Sequence, residues 1–423
     1  EGAAEEQAEQ QSSLERENSP ERENSPEREN SPEKPASPSL HAAGSSRPAR
    51  RVKRRAGRFL RAVLPLRAVL PLRAVLPLRA VFPLKAALLL SLLLGSAFGT
   101  AAESALRLNE IQVLGSHNSY KLAMAAEQFA ALKARNPKAA ASLEYNHLPL
   151  TEQLELGIRK LEIDLFYDPE GELFPGVSVS GSAFPVLHVQ NLDDRSNCAD
   201  LMTCLEELVR WSDAHPEHVP LFISFNAKDS VIDEPGFLRP LPFGEDAWLA
   251  LDAELRAVLG ERLLAPAAVI DEEGPQWPTL DAVRGRFLAI LDEGGEKRAT
   301  YASRWRERAM FANLPENEPG AAILIVNDPI GDFERIQRLV RDGYIVRTRA
   351  DADTREARSG DSTRRDKAFA SGAQLISTDY YQPAAHFGTD YVVRLPGGMR
   401  CNPLLKVAGC RLAEPHELDL PQH

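Results

Sequence analysis

The sequence predicts an α/β fold in which eight parallel strands form a barrel, and two patterns support this prediction. Short β-type apolar runs alternate with helical patterns over about 270 residues, which favours a parallel sheet. Eight strand candidates favour a closed (β/α)8 barrel over an open doubly wound sheet, and no glycine-rich phosphate loop of the Rossmann or Walker type follows any of them. The predicted strands are residues 110–114, 159–166, 220–226, 286–292, 308–312, 321–327, 344–349 and 373–379. The predicted helices include residues 148–156, 201–212, 246–259, 332–342 and 363–371.

The predicted barrel indicates where the functional side chains should lie. In a parallel barrel the functional side chains lie at the carboxyl ends of the strands. Polar residues cluster at these predicted ends: His117, Asn118, Glu162, Asp164, Asn226, Lys228, Asp229, Asn327, Asp328, Arg347, Arg349, Asp379 and Tyr380. We therefore expect one polar site at the mouth of the barrel.

The first hundred residues differ from the rest. Residues 15–32 repeat Glu-Arg-Glu-Asn-Ser-Pro, and residues 61–84 repeat Arg-Ala-Val-Leu(Phe)-Pro-Leu. A six-residue period with proline in each copy suits neither a regular helix nor a central strand. The sequence thus predicts a disordered, repeat-containing extension at 1–60, a repeat and leader segment at 61–102, and a barrel domain at 103–423.

The leader segment has the organisation of a secretory signal. Twelve Arg or Lys and no acidic residue lie between His41 and Lys85, and residues 86–102 carry no charge and end in small residues. A basic region, a short apolar core and a small-residue tail predict a cleaved signal and a secreted or periplasmic protein. A retained membrane anchor is the alternative.

Charge limits the partners of the barrel part. Residues 103–423 hold 34 Lys and Arg against 50 Asp and Glu, a formal net charge of −16. This balance argues against nucleic acid as a partner and against strong electrostatic attachment to anionic membranes. The length allows one large barrel or two domains.

The four cysteines form two close pairs, Cys198 with Cys204 and Cys401 with Cys410. Two local disulfides are the natural interpretation in a secreted chain, although four cysteines allow three connectivities. Six residues of continuous helix would separate the first pair by roughly 9 Å, too far to bridge. If the first pair is bonded, the following helix therefore begins at or after about Asp200.

Two runs carry most of the functional information. The run Gly115-Ser116-His117-Asn118-Ser119-Tyr120 places a histidine beside an amide at the end of a strand, and Glu162 and Asp164 lie on one face of the next strand. A third strand-like run, residues 184–190, contributes His188. Two imidazoles, two carboxylates and an amide suit acid–base attack on a phosphodiester beside a hard cation.

With these runs, the sequence resembles the secreted, calcium-dependent phosphatidylinositol-specific phospholipases C. The resemblance covers about residues 107–410. The matching segments are residues 109–120, Tyr145-Asn146-His147, Pro149-Leu150, Gln153-Leu154, Gly157, Leu161–Phe166, Leu187–Gln190, Val346–Asp353, Ser371–Tyr380, Tyr391–Gly398 and Cys401-Asn402-Pro403.

The resemblance implies an irregular TIM barrel and a phosphodiester-cleaving enzyme. Its reaction breaks the bond between inositol phosphate and diacylglycerol, with the inositol 2-hydroxyl as nucleophile and a cyclic inositol phosphate as product. It implies that His117 and His188 are the catalytic imidazoles. It further implies that Ca²⁺ is the cofactor and that Asn118, Glu162 and Asp164 are its ligands.

The family usually has glutamate where this chain has Asn226, so this position is expected to bring an amide oxygen and no charge. Asp229, three residues on, is the alternative source of that charge. Lys228 resembles the lysine that helps to hold phosphate or inositol oxygens. Further candidates for substrate contact are Arg347, Arg349 and Tyr380.

Other interpretations remain open at the level of sequence. The chain is alternatively another phosphodiesterase of the same barrel, of the glycerophosphodiester type, or a non-enzymatic barrel with a weakened metal site. We expect His147, His215 and His218 to be structural, and residues 193–195 to form a surface turn. The expected partner is phosphatidylinositol in membranes or micelles, contacted transiently by loops at the barrel mouth of a monomer.

Overall fold

The computed structural model describes residues 106–177, 180–407 and Cys410. The predicted extension at 1–60 and the predicted leader segment at 61–102 lie outside the described residues.

Eight parallel strands form the central sheet, and they match the eight predicted strands. A ninth strand, β9, pairs antiparallel with β1. The strands are β1 (Ile111–Ser116), β2 (Lys160–Leu165), β3 (Leu221–Ala227), β4 (Phe287–Leu291), β5 (Met310–Ala312), β6 (Ile323–Ile325), β7 (Ile345–Arg349), β8 (Leu375–Thr378) and β9 (Met399–Cys401). A short hairpin of Ile270–Asp271 with Gly274–Pro275 lies apart from this sheet.

Helices separate most of the strands, as the sequence predicts. They are α1 (Ala126–Arg135), α2 (Pro137–Ser142), α3 (Leu150–Glu155), α4 (Leu201–Ala214), α5 (Glu245–Leu259), α6 (Gly295–Ala302), α7 (Phe333–Arg341), α8 (Arg355–Ser359) and α9 (Thr363–Ala370). Helix α4 shows why these segments are helical: its buried residues include Leu201, Leu205 and Leu208, which recur on one face.

The order of the strands in the sheet is β5-β4-β3-β2-β1-β8-β7-β6, so the sheet curves into a nearly closed barrel. Among the described strands, β5 and β6 make no ladder. Asn313 bridges this seam, because its side-chain oxygen accepts a hydrogen bond from the backbone N–H of Ile325 at 2.9 Å. The predicted parallel barrel is confirmed, and its irregularity lies at this seam.

One predicted β-type run does not form a strand. Residues 184–190 follow an irregular path with single bridges, such as Leu165 to Val186 and Val189 to Asp193. The prediction of a strand for this run was wrong because the chain turns back on itself immediately after His188, and a tight loop replaces the ladder.

Both predicted disulfides are present, Cys198–Cys204 and Cys401–Cys410. The side chain of Asp200 accepts a hydrogen bond from Thr203 N at 2.8 Å and caps helix α4, which begins at Leu201. The helix therefore starts where the bridge between Cys198 and Cys204 requires it to start.

Close packing inside the barrel positions the polar site. Gly115 on β1 lies against Lys160 on β2, and a Cβ atom at Gly115 would come within 2.6 Å of Lys160 Cβ. Glycine at this position therefore lets a fully buried lysine side chain lie inside the barrel, beside Glu162. In the described part of the chain, no helix is long and apolar enough to span a bilayer.

Candidate active site

His117 lies in a turn at the end of β1 that is tied to both neighbouring strands. Its backbone N–H donates to Thr378 O on β8 at 3.1 Å, and Ser119 N donates to Glu162 O on β2 at 2.8 Å. Asn118 has a φ of 45°, in the left-handed region that asparagine tolerates better than most residues. The turn therefore holds the imidazole at the barrel mouth on a fixed backbone.

Three charged groups surround the His117 ring. Its Nδ1 lies 2.9 Å from Asp379 Oδ1, and its Nε2 lies 3.6 Å from Glu162 Oε1. The guanidinium nitrogens of Arg349 lie 3.3 Å and 3.2 Å from Nε2 and Nδ1. The ring is 17% exposed, so it is oriented from the protein side and still reaches solvent.

Asp379 is an ionised acceptor for this arrangement. Burial by itself would raise the pKa of Asp379, but His117 and Arg349 outweigh burial and hold it below its ordinary value. The neighbouring Asp351 behaves in the opposite way: burial, reinforced by Asp379, raises its pKa to about 7. The sequence placed Asp379 at a strand end but gave it no role, because nothing local shows that it meets His117.

His188 is held by a second carboxylate. Its Nδ1 lies 2.8 Å from Asp193 Oδ2, and both side chains are buried. Asp193 also interacts with the buried ammonium of Lys121 at 3.3 Å. The expectation of a surface turn at residues 193–195 is therefore wrong for Asp193, although Asp194 and Arg195 are exposed.

Glu162 is the centre of a buried ionic network. Its Oε2 pairs with the ammonium of Lys160 and with Arg347 Nη2, the latter at 2.7 Å. Burial alone would raise the pKa of Glu162, but Arg347 and Lys160 outweigh it and hold the pKa well below the ordinary range. Glu162 is therefore ionised near neutral pH, and its carboxylate oxygens are suited to binding a cation.

Asp164 and Asn226 lie side by side on β2 and β3, where the strand register pairs them. The Asn226 amide nitrogen donates to Asp164 Oδ1 at 3.2 Å and to Glu162 Oε1 at 3.4 Å. Asp164 Oδ2 is buried and forms a salt bridge with Lys228 Nζ at 3.0 Å. Three of the four predicted metal ligands are thus in direct contact.

The fourth predicted ligand, Asn118, lies in the turn beside His117. Its amide nitrogen donates to Tyr145 Oη at 2.8 Å, which orients the amide and leaves its carbonyl oxygen out of this bond. Asp229, the alternative ligand, is turned away from the others. Its carboxylate pairs with Lys297 Nζ at 3.0 Å and accepts from Phe243 N at 3.2 Å.

A cavity of about 160 Å³ joins these groups. Of the predicted site residues, it is lined by His117, His188, Asn118, Glu162, Asn226, Lys228, Arg347 and Arg349. Asp164, which pairs with Asn226 across the two strands, is not part of the lining. Tyr380 is not brought to the cavity: it is buried, and its ring packs against Phe387 and Tyr391.

Sequence reasoning missed several residues of the cavity wall. They include Gln190, Asp292, Glu293 and Lys297, whereas Asn327, which the sequence placed at a strand end, does line the cavity. Burial raises the pKa of Glu293 to about 7, although Lys297 pairs with it at 2.9 Å. The run Asp292-Glu293 directly follows β4, and its position at a strand end was the signal that could have found it.

Three other histidines have contacts that suit structural roles. His147 is buried, its Nε2–H donates to the His117 carbonyl oxygen at 2.7 Å, and its ring stacks on Tyr381. Because the bond is to a carbonyl oxygen, Nε2 is the donor. Burial lowers the pKa of His147 to about 4, so the ring is neutral near pH 7. His215 and His218 pack around Trp211, away from the cavity.

The fold and the site together define a class: a barrel protein with two carboxylate-oriented imidazoles and a set of basic side chains around one cavity. The chain belongs to the family of Ca²⁺-dependent phosphoinositide phospholipases C, whose model matches residues 106–403. No curated protein matches the sequence.

Solved structures of related enzymes align with most of the described barrel. A calcium-dependent phosphoinositol-specific phospholipase C from a Pseudomonas species has a TM-score of 0.44 and 18% identity, over 71% of this chain and 97% of that one. A Ca²⁺-dependent phosphatidylinositol-specific phospholipase C from Streptomyces antibioticus has a TM-score of 0.43 and 17% identity, over 67% and 98%. PLC21 of L. pealei has a TM-score of 0.33 and 16% identity, over 70% and 35%. The family assignment rests on the family match.

The metal of this family is Ca²⁺, and the residues present fit it. Asn118, Glu162, Asp164 and Asn226 offer carboxylate and amide oxygens, which hard cations prefer. The Asn226 amide nitrogen donates hydrogen bonds to both Glu162 and Asp164, so a positively polarised N–H group already lies between the two carboxylates. In the described ranges, no three His, Cys, Asp or Glu side chains converge as a metal centre, so the amide oxygens are needed to complete the site.

Proposed function

We propose that this protein cleaves the phosphodiester of phosphatidylinositol into diacylglycerol and a 1,2-cyclic inositol phosphate. The observation that carries the proposal is the pair of imidazoles at one cavity, each bound at Nδ1 by a buried carboxylate. A carboxylate at Nδ1 holds the proton of the neutral ring there, so Nε2 is the nitrogen that gains or loses a proton in the reaction. Cyclisation needs one group to take a proton and another to give one, and two oriented imidazoles provide both.

We assign the base to His117 and the acid to His188. His117 takes the proton of the inositol 2-hydroxyl as its oxygen attacks phosphorus, and the resulting imidazolium is stabilised by Asp379. His188, starting the reaction as the imidazolium, gives its Nε2 proton to the departing diacylglycerol oxygen and is left as the neutral ring with the proton on Nδ1 beside Asp193. The protons transferred in the two steps balance, so the cyclic product and the alcohol leave without a net change in the charge of the protein.

Basic residues around the cavity stabilise the phosphoryl charge. Arg349 is 15% exposed and Lys228 is 26% exposed, so both reach the cavity while pairing with Asp379 and Asp164. Arg347 is nearly fully buried and is fixed by Glu162 and Asn327. We therefore assign phosphate contact to Arg349 and Lys228, and we assign to Arg347 the task of fixing Glu162. Tyr380 has no part in this assignment.

Calcium would be held by Asn118, Glu162, Asp164 and Asn226, and when bound it supplies polarisation of the phosphoryl oxygen and of the attacking hydroxyl. Glu162 serves this purpose because Lys160 and Arg347 keep it ionised. The positive charges of Lys160 and Arg347 reduce the net negative charge near the ligands, and Asn226 adds no negative charge. We therefore expect calcium binding to be weak.

Contact with the lipid surface is assigned to loops that follow the strands. Three large apolar side chains are exposed in these loops: Val231 (48%), Leu241 (39%) and Ile330 (49%). The first two lie between β3 and α5 and the third between β6 and α7, on the barrel face that carries the site. Apolar side chains suit transient contact with a membrane better than charge does in an acidic protein.

The proposed domain organisation is an extension at 1–60, a leader at 61–102 and a barrel domain at 103–423. The protein is proposed to be secreted and monomeric. The two disulfides support an oxidising compartment.

Phosphorus NMR on phosphatidylinositol micelles tests the proposed reaction. We expect a cyclic inositol phosphate signal that depends on Ca²⁺ and disappears with excess chelator. A non-cyclic product formed directly would indicate a glycerophosphodiester-type enzyme, and no turnover with added Ca²⁺ would indicate a non-enzymatic barrel. Equal hydrolysis in excess chelator would contradict the calcium requirement.

A further inference from the structure

We propose that Asp193 and Lys121 form a buried ion pair that positions His188 by fixing the tautomer and orientation of its ring. This inference rests on the proposed function for the role of His188, but the arrangement itself is a property of the free protein.

The loop after His188 holds the ring from two sides. The backbone N–H groups of His188 and Val189 donate to Asp193 O at 3.2 Å and 3.0 Å, and Asp193 N donates to Val189 O at 3.0 Å. Asn191, with a φ of 61°, makes the reversal possible. The side chain of Asp193 then returns to His188 Nδ1 at 2.8 Å, so backbone and carboxylate fix the same residue.

The charge state of Asp193 determines the tautomer. Burial would raise the pKa of Asp193, but bonding to His188 and Lys121 outweighs burial and lowers it. An ionised carboxylate only accepts hydrogen bonds, so Nδ1 of His188 carries the proton. In the neutral ring Nε2 is therefore the unprotonated nitrogen, and His188 lines the cavity.

Lys121 connects this loop to the other histidine. Its ammonium is fully buried, lies 3.3 Å from Asp193, and donates to Leu143 O at 3.1 Å and Tyr145 O at 2.9 Å. Its backbone N–H donates to Asn118 O at 2.9 Å, inside the turn that presents His117. The ion pair thus joins the two segments that carry the imidazoles.

Stability alone does not explain this pair. A buried ion pair often contributes no more than well-packed apolar side chains would, because both charges lose their hydration. Burial of Asp193 also lowers the stability of the fold, because its Oδ1 loses hydration and accepts no hydrogen bond from the described residues. The Asp193 carboxylate contacts His188 Nδ1 and Lys121 contacts that carboxylate, so positioning of His188 accounts for the pair.

The first test reads the tautomer of the free wild-type protein. Long-range ¹⁵N–¹H NMR should show His188 protonated at Nδ1 when neutral, and the Nε2–H tautomer would overturn the proposal. This measurement needs no substrate, so it stands apart from the proposed reaction. A protein with the expected tautomer that fails to cleave phosphatidylinositol would contradict the function and leave the positioning pair intact.

The second test uses Asp193→Asn, which keeps the shape and removes the charge. We expect the neutral His188 ring to change tautomer and kcat to fall about 100-fold or more, with KM within about twofold. Asp194→Asn, at the exposed neighbouring position, is the matched control and should change neither. Wild-type kcat together with an unchanged tautomer in Asp193→Asn would overturn the proposal.

Lys121→Met tests the other partner while retaining an apolar stem of similar length. We expect kcat to fall about 10-fold, and the double variant with Asp193→Asn to be no slower than Asp193→Asn alone, because both changes act through one carboxylate. Strictly multiplicative losses would show that Lys121 does not act through Asp193.

Discussion

Asp379 Oδ1 lies 2.9 Å from His117 Nδ1 across the joint between β8 and β1, although the two residues are far apart in sequence. The other oxygen of Asp379 pairs with Arg349 at 3.1 Å, and Arg349 contacts the same imidazole. One carboxylate therefore orients both a proton acceptor and a phosphate-binding cation.

His117→Ala and His188→Ala should each lower kcat by roughly 10²–10⁴, because each removes one proton-transfer group. The double variant should lose far less than the product of the two factors, since the residues act as a unit. Steady-state kinetics on phosphatidylinositol micelles, with circular dichroism to check folding, gives the measurement. A well-folded single variant with near-wild-type kcat would assign a structural role to that histidine.

Asn226→Glu should tighten calcium binding by about an order of magnitude, or about 1.4 kcal/mol, because a carboxylate replaces an amide between Glu162 and Asp164. Calorimetric titration of the protein with Ca²⁺ measures the change. Asp229→Asn is the matched control, because Asp229 pairs with Lys297 and caps Phe243 N, and it should leave calcium affinity unchanged. The reverse pattern would place the missing charge at Asp229 after all.

His147 should make the folded protein sensitive to acid between about pH 6.5 and pH 4. Its folded pKa of about 4 lies below the unfolded value, so the unfolded state binds the proton more tightly as the pH falls. The loss amounts to about 3 kcal/mol once the pH is below both values. Carboxylates with lowered pKa values, such as Glu162 and Asp379, lose their stabilising effect only at lower pH.

Urea unfolding across this pH range tests the effect with His147→Gln. The variant should be less stable at pH 7, where the bond to the His117 carbonyl is disturbed, yet lose less stability on acidification. The remaining slope is the sum of opposite effects, because burial also lowers the pKa of His218 but raises the pKa values of Glu293 and Asp351. His215→Gln, at a side chain that is 42% exposed, is the control. An unchanged slope in His147→Gln would show that this histidine is protonated in the folded state.

Ile330→Asp should weaken binding to phosphatidylinositol vesicles roughly tenfold, because an exposed apolar side chain at the barrel mouth is replaced by a charge. Turnover of a short-chain, monomeric phosphatidylinositol should stay close to wild type. Leu249→Asp is the control, since Leu249 is 47% exposed on helix α5 rather than in a loop at the mouth. Equal vesicle binding by both variants would remove Ile330 from the contact surface.

Local patterns explain why so much of the barrel was predictable. The strand and helix periods, a helix that begins at or after about Asp200 and the two cysteine pairs depend on neighbours in sequence, and each is confirmed. The strand prediction for residues 184–190 was wrong. The run does have the apolar pattern of a strand, but the backbone N–H groups of His188 and Val189 donate to Asp193 O instead of to a neighbouring strand.

The sequence by itself determined the barrel, the family and the residue types at the strand ends, because parallel strands bring their carboxyl ends to one edge. Only the tertiary structure decided which charges meet there. Asp379 meets His117, Asp193 and Lys121 meet near His188, and Lys160 and Arg347 meet at Glu162. Tyr380 and Asp229 are turned elsewhere. Such pairings depend on strand register, loop reversal and burial, which place residues distant in the chain within hydrogen-bonding distance.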